Sequence, residues 1–348
     1  ALGRVTTVSD ALGGVVVGLI AAAVVRYVLG TSAGMPSTNR LREGLADLGV
    51  QMSRLTYYDD QPLAALVLSG ATSDGRDVFV YGLGRDSWSA RRWSRLWRQA
   101  WYQSDDAQFG SDRRQQIEHE SLAMLLASKR GVSVPDVVTV GMTRTGDALL
   151  VTELADHSFA STTADEVDDD LLDAAWKLLG DLHDAGISHG SLDDIHVWVD
   201  ASGGLQLMGF SDAVINPTAD QINQDVAAML VLTTLGAGAD RAIAAARRAR
   251  GDDDLAAMLP VLQTAALNAR LRAHAKRRKL KIAGLRKQTA SALGVDVPAA
   301  EQLTRVTWKS ALMTAFIVVA AYTLIGGLAE VGFDTIAESL ADARWSLV

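Results

Sequence analysis

The 348-residue sequence contains no cysteine. That excludes disulfides, thiolate metal sites and a cysteine nucleophile, and it fits a reducing compartment. Lysine is also missing before Lys129, so the chain up to that point offers no ammonium group to a bound phosphate. The opening residues, from Ala1, have neither a charged leader region nor a small-residue cleavage site, so they do not read as a signal peptide. An internal piece of a longer protein is expected. Acidic residues are missing from Arg270 to Lys287, where nine Lys and Arg fall; with those nine set aside the formal charge of −8 becomes −17 for the rest. This is the pattern of an acidic body with a basic arm. What is present is a large apolar fraction, 49% of residues, which is enough for a sizeable core. The length suits about two domains.

Two runs lack any polar face. ALGGVVVGLIAAAVVRYVLG, Ala11–Gly30, is about long enough to cross a hydrocarbon core of roughly 30 Å, with Arg26 placed to snorkel. WKSALMTAFIVVAAYTLIGGLAEV, Trp308–Val331, is the second, with Trp308 and Tyr322 as interfacial anchors. Residues 1–32 are therefore expected to be the tail of a membrane domain, and residues 305–348 a transmembrane helix opening a second one. Arg40 and Arg42 follow the first run, and Arg305 and Lys309 precede the second. Positive residues favour the cytoplasm, so residues 40–290 are expected on the cytoplasmic side of a bacterial inner membrane. The basic block is expected to form a juxtamembrane helix over 270–290. Its Arg270, Arg272, Lys276, Arg277, Arg278, Lys279 and Lys281 would rest on anionic lipid, each contributing on the order of 1 kcal/mol. A solvated helix face is the alternative. Nucleic acid is not expected as a partner, because the rest of the body is acidic.

Between the runs, Leu63–Ser69 and Asp77–Leu83 read as a hairpin. A helix over Ser87–Gln103 places Trp93, Trp97 and Trp101 on one face among arginines. It would lie either against the sheet or in lipid headgroups. A second helix over Arg113–Lys129 stops at Gly131. VPDVVTVG and DALLVTEL read as two more strands, and Asp169–Ala185 as a long helix with one leucine-rich face. ISHGSLDD is a loop, HVWVD and LQLMGF a hairpin, and helices follow to about Ala290, with Pro298 marking a linker.

The segment HGSLDDIHVWVDASGGLQLMGFSDA resembles the catalytic core of aminoglycoside-phosphotransferase-type kinases, which run roughly HGDLHPGNVLVD and then IDFGDA. Upstream, IEHESLAMLLASKRGVSVPDVVTVG and ALLVTEL are similar to the family's αC helix, its next strand and the strand into the hinge. The expected fold class is thus α+β, a two-lobed protein-kinase-like fold flanked by transmembrane α-helices.

Phosphoryl transfer needs a carboxylate for the attacking hydroxyl and oxygen ligands for Mg²⁺. The resemblance places Ser191 at the family's catalytic Asp, His196 at its metal-binding Asn and Gly209 at its metal-binding Asp. Tyr81 falls at the phosphate-pairing Lys. With base, both metal ligands and Lys replaced, the electrostatics that drive this chemistry are missing, and a pseudokinase with no catalytic residue, no metal and no cofactor is expected. Glu120, Glu153, His189 and Asp212 would line a vestigial ATP pocket. A rewired phosphotransferase would instead need Asp193, Asp194 or Asp212 to bind metal in a shifted geometry. His189 and Asp225 match family positions that brace the loop.

The N-terminal ALGRVTTVSDALGGVVVG is faintly similar to the last motif of type-2 phosphatidic-acid phosphatases, and TRVTWKSALMTAFIVVAAYTL with LADARW to the start of the lysylphosphatidylglycerol-synthase, flippase-like family. These flanks imply a bacterial, actinobacterial-type envelope protein. In it the kinase-like body would regulate or scaffold a membrane domain or protein partner that handles lipid or a lipid-linked glycan. The alternatives are a lipid transporter or lipid-modifying protein with a purely structural soluble part, and the rewired ATP-dependent phosphotransferase.

Overall fold

Alternation along Asp77–Leu83 sets the architecture. Val78 and Val80 point to one face of the strand and are buried under the helix Thr38–Asp47 (α1); Phe79 and Tyr81 point to the other. In the computed structural model the described residues are 38–58, 66–83, 113–144, 146–154, 157–158, 167–200, 203–300, 313 and 316. The chain divides into two units, and the elements below belong to the unit formed by Ala1–Arg95 and Gln108–Glu301.

Five strands make one antiparallel sheet: β1 (Met52–Tyr57), β2 (Leu66–Thr72), β3 (Asp77–Leu83), β4 (Val137–Met142) and β5 (Ala148–Glu153), in the order β1-β2-β3-β5-β4. The helix α2 (Arg113–Lys129) packs on β4 and β5. β6 (His157–Ser158) leads to α3 (Asp169–Asp184), whose first turn is capped by Asp168 accepting from the Leu171 N–H. The loop after α3 carries β7 (Ile187–Ser188), then β8 (Val197–Val199) and β9 (Leu205–Leu207). A 3₁₀ turn, Phe210–Asp212, precedes β10 (Val214–Ile215), which pairs with β7. Four helices follow: α4 (Ala219–Ala237), α5 (Ala239–Met258, broken at Gly251), α6 (Ala269–Arg277) and α7 (Ile282–Leu293).

Two cores result. One lies between α1 and the sheet, around Leu41, Leu45, Leu68 and Leu149. The larger joins α2 through α7 around Trp176, Leu179, Phe210 and Leu230. A small third cluster of Val67, Phe79, Trp198 and Met208 spans the two.

The architecture is α+β, but the flanking transmembrane helices expected from the sequence need correction. Among the described residues no helix is long and apolar enough to cross a membrane. The physical reason is visible in α4. Its buried run, Asp225–Thr234, is preceded by Asp220, Gln221, Asn223 and Gln224, which leaves far fewer than the roughly 20 apolar residues a span requires. The two runs read as spans, residues 11–30 and 308–331, lie outside the described residues except for Met313 and Phe316. The tryptophan-bearing helix expected over 87–103 lies outside them as well. The single basic helix expected over 270–290 is two helices, α6 and α7, joined by a turn in which Lys279 takes φ 56°.

Candidate functional site

The loop from Ile187 to Asp200 hangs on a buried carboxylate. Asp225, on α4, is 1% exposed. Its Oδ2 accepts from the His189 backbone N–H at 2.5 Å and its Oδ1 from that of Gly190 at 2.9 Å. His183 Nε2 approaches Oδ2 at 3.3 Å. Gly190 has φ 75°, and a β-carbon there would meet the Asp212 carbonyl oxygen at 2.2 Å, so the loop closes only with glycine at this position.

His189 is fully buried, and its Nε2–H donates to the Met208 carbonyl at 2.8 Å. Its Nδ1 has no hydrogen-bond partner. Burial, reinforced by the neighbouring His196, pushes its pKa down to about 4, so the ring is neutral. His189 therefore braces the loop against the strand that leads into Gly209.

His196 is the opposite case. Burial disfavours its charge, but Asp193, followed by Asp212 and Glu120, outweighs burial and raises its pKa. Its Nδ1 lies 2.7 Å from Asp193 Oδ1 as an ion pair. The ring of His196 also fills the space beside Gly209. A β-carbon on Gly209, which has φ 75°, would meet His196 Cδ2 at 2.3 Å and Nε2 at 2.7 Å. An imidazole whose charged form the surrounding acids favour thus fills the place where a side chain at position 209 would begin.

The neighbouring acids are already engaged. Asp193 Oδ1 also accepts from the Ile195 N–H at 3.1 Å, and Oδ2 accepts from Asn268 Nδ2 at 3.0 Å. Burial would raise its pKa, but His196 prevails and holds it below the usual carboxylate value. Asp194 is clamped by Arg270 Nε at 2.7 Å and by His274 Nδ1 at 3.2 Å. Asn268 further donates to the Ser191 and Leu192 carbonyls at 3.0 and 3.2 Å while its side chain caps α6. Among the described residues, no group of three or more His, Asp or Glu side chains is arranged to hold a metal ion.

The expected site residues separate into those brought together and those not. Tyr81, Glu120, His189, His196, Gly209 and Asp212 converge, linked by contacts or by mutual electrostatics. Burial and then Glu120 push the Tyr81 phenol pKa upward, so it is a neutral hydroxyl. Ser191 sits half-buried on the loop, its carbonyl held by Asn268. Glu153 ends β5, exposed. Arg270 turns inward to Asp194, whereas Lys276, Arg277, Arg278, Lys279 and Lys281 are exposed and Arg272 is half-exposed.

Sequence reading missed Asn268, Arg270 as a loop clamp, and the convergence of histidines. Five of the six histidines bond at or beside the loop: His183, His189, His196, His274, and His119, whose Nε2 lies 2.8 Å from the Ala213 carbonyl. No spacing announces this, because the five come from four separate elements and loops.

No protein-family model matches the chain, and no curated protein matches it.

Proposed function

We propose that residues 40–290 are a catalytically degenerate kinase-like module that acts as a regulatory or scaffolding part of its protein and transfers no phosphate. The observation that carries this reading is the interlock of His196 with Gly209, in which a β-carbon at position 209 would come within 2.3 Å of the imidazole. Metal-assisted phosphoryl transfer needs oxygen ligands at such a place, and here an imidazole paired with Asp193 is fitted into it. The engagement of Asp193 and Asp194 by Asn268, Arg270, His196 and His274 counts against a rewired metal site built on those acids. The preserved loop brace from Asp225 supports a role in which shape is kept and chemistry is not.

The test is turnover. The 348-residue chain, incubated with Mg²⁺ and γ-labelled ATP, should release no phosphate and label neither itself nor added hydroxyl acceptors above the protein-free rate. Turnover that persists in rigorously purified protein and vanishes in Asp212→Ala overturns the reading.

A second reading concerns the partner. Lys276 and Arg277, which end α6, and Arg278, Lys279 and Lys281, in the turn that leads to α7, lie exposed. This patch suits an anionic lipid surface, at on the order of 1 kcal/mol per basic residue near the headgroups.

A further inference from the structure

The cluster that spans the two cores does more than fill a gap. Phe79 and Tyr81 are two apart on β3, so they share a face. Trp198 lies two beyond His196 in the middle of β8, and Met208 directly precedes Gly209. On the kinase-like reading the phosphates of a nucleotide would lie toward Tyr81, His196 and Gly209, and Phe79, Trp198 and Met208, which adjoin those positions, would stand beside its base. That space is taken. Phe79 and Trp198 meet edge to face, with ring centroids 4.9 Å apart and planes at 79°. Tyr58 packs on both rings, at 5.3 and 6.2 Å. Phe79, Trp198 and Met208 are 1%, 4% and 1% exposed. The indole is also pinned, because its Nε1–H donates to the Ile195 carbonyl at 2.7 Å.

We propose that the indole of Trp198 is a built-in occupant of the cleft between the sheet and the helical half. It takes the place of a flat ring ligand such as a nucleobase and clasps the two halves without any nucleotide. This rests on the kinase-like reading above, since that reading assigns the phosphate-facing positions, and it deepens it: the module is held in one closed arrangement and does not switch with ATP. An edge-to-face aromatic pair adds attraction beyond area burial, and the hydrogen bond at Nε1 satisfies the one polar atom of the indole that burial would otherwise strand.

The test uses the 348-residue chain and its Trp198→Ala and Trp198→Phe variants, followed by thermal unfolding and equilibrium dialysis. Millimolar ATP or ADP, with or without Mg²⁺, should neither raise the wild-type melting temperature nor be retained on dialysis. Trp198→Ala should melt lower by on the order of 10 °C. Indole should restore part of that loss by entering the vacated apolar space. If Trp198→Ala does not fold, Trp198→Phe carries the test, with a smaller loss that benzene restores in part. Saturable ATP or ADP binding by the wild type overturns the proposal, as does a folded variant that its small aromatic cannot rescue. ATP binding without turnover sinks this inference and leaves the catalytically degenerate reading standing; turnover sinks that reading.

Discussion

His196 and Gly209 occupy one another's space. The imidazole lies where a side chain at position 209 would start, with Cδ2 2.3 Å from the β-carbon that glycine lacks. The same ring pairs with Asp193 at 2.7 Å, and Asp193 in turn holds the Ile195 N–H and the Asn268 amide. The two positions are thus a single fitted arrangement. Against burial, the imidazole answers the nearby acids, Asp193 first and then Asp212 and Glu120, which together raise its pKa.

The loop depends on Asp225. Asp225→Ala leaves the buried N–H of His189 and the partly buried N–H of Gly190 without their acceptor, and should cost about 3–5 kcal/mol in urea unfolding. Asp225→Asn keeps one acceptor and should cost roughly 1–3 kcal/mol. Equal, near-zero losses would show that water replaces the carboxylate without penalty.

Two histidines with rings 5.0 Å apart should give stability two opposed pH limbs. His189 titrates at about 4 in the fold against an ordinary 6.5. The unfolded chain therefore binds the proton first, and stability falls as pH drops from 6.5 to about 4. The His196 pKa is raised, so its contribution is full below the ordinary histidine value and is lost as pH rises through its elevated one. Unfolding free energies measured from pH 4 to pH 9, roughly spanning both limbs, should show the acid limb shrink in His189→Gln and the alkaline limb shrink in His196→Gln. Unchanged limbs in both variants would refute the assignment.

The basic segment should divide into structural and surface residues. Arg270→Gln breaks the clamp on Asp194, which is only 8% exposed at its side chain, and should cost about 2–3 kcal/mol. Lys279→Gly relieves a left-handed backbone at φ 56° and should be neutral or stabilising by up to about 1 kcal/mol. Replacing Lys276, Arg277, Arg278, Lys279 and Lys281 together by Gln should leave stability nearly unchanged while reducing co-sedimentation with phosphatidylglycerol vesicles. Retained binding by that variant would remove the turn as the lipid-facing surface.

Much of the scaffold was legible in the sequence because its signals are local. The helix expected over Arg113–Lys129 is α2 at both ends, stopped by a left-handed Gly131. The helix expected over Asp169–Ala185 is α3 to within one residue, with Asp168 as its cap. The strand Asp77–Leu83 is β3 as read, while the strand expected over Leu63–Ser69 is β2 from Leu66 and continues three residues further, through Thr72; residues 63–65 lie outside the described residues. α1 and β1 were not read at all. MSRLTY has a buried pattern of two in six, too weak an alternation to announce a strand. The break between α6 and α7 also leaves no mark, since Lys279 takes a conformation that sequence normally signals with glycine or asparagine. The sequence picked out single positions of the site but not the set they form. His196 against Gly209, Phe79 against Trp198 and Asn268 beneath Ser191 are long-range contacts, and one sequence carries no record of which residues meet.

The most direct measurement is a double-mutant cycle on His196 and Gly209 by urea unfolding. Gly209→Ala adds one methyl where the imidazole lies and should cost about 2–4 kcal/mol, from the clash and the left-handed backbone together. In a His196→Ala background the ring is gone, and the same methyl should cost less by at least about 1 kcal/mol. Such a coupling is what a ring fitted against Gly209 predicts. Additive costs, with Gly209→Ala equally damaging whether or not His196 is present, would contradict it.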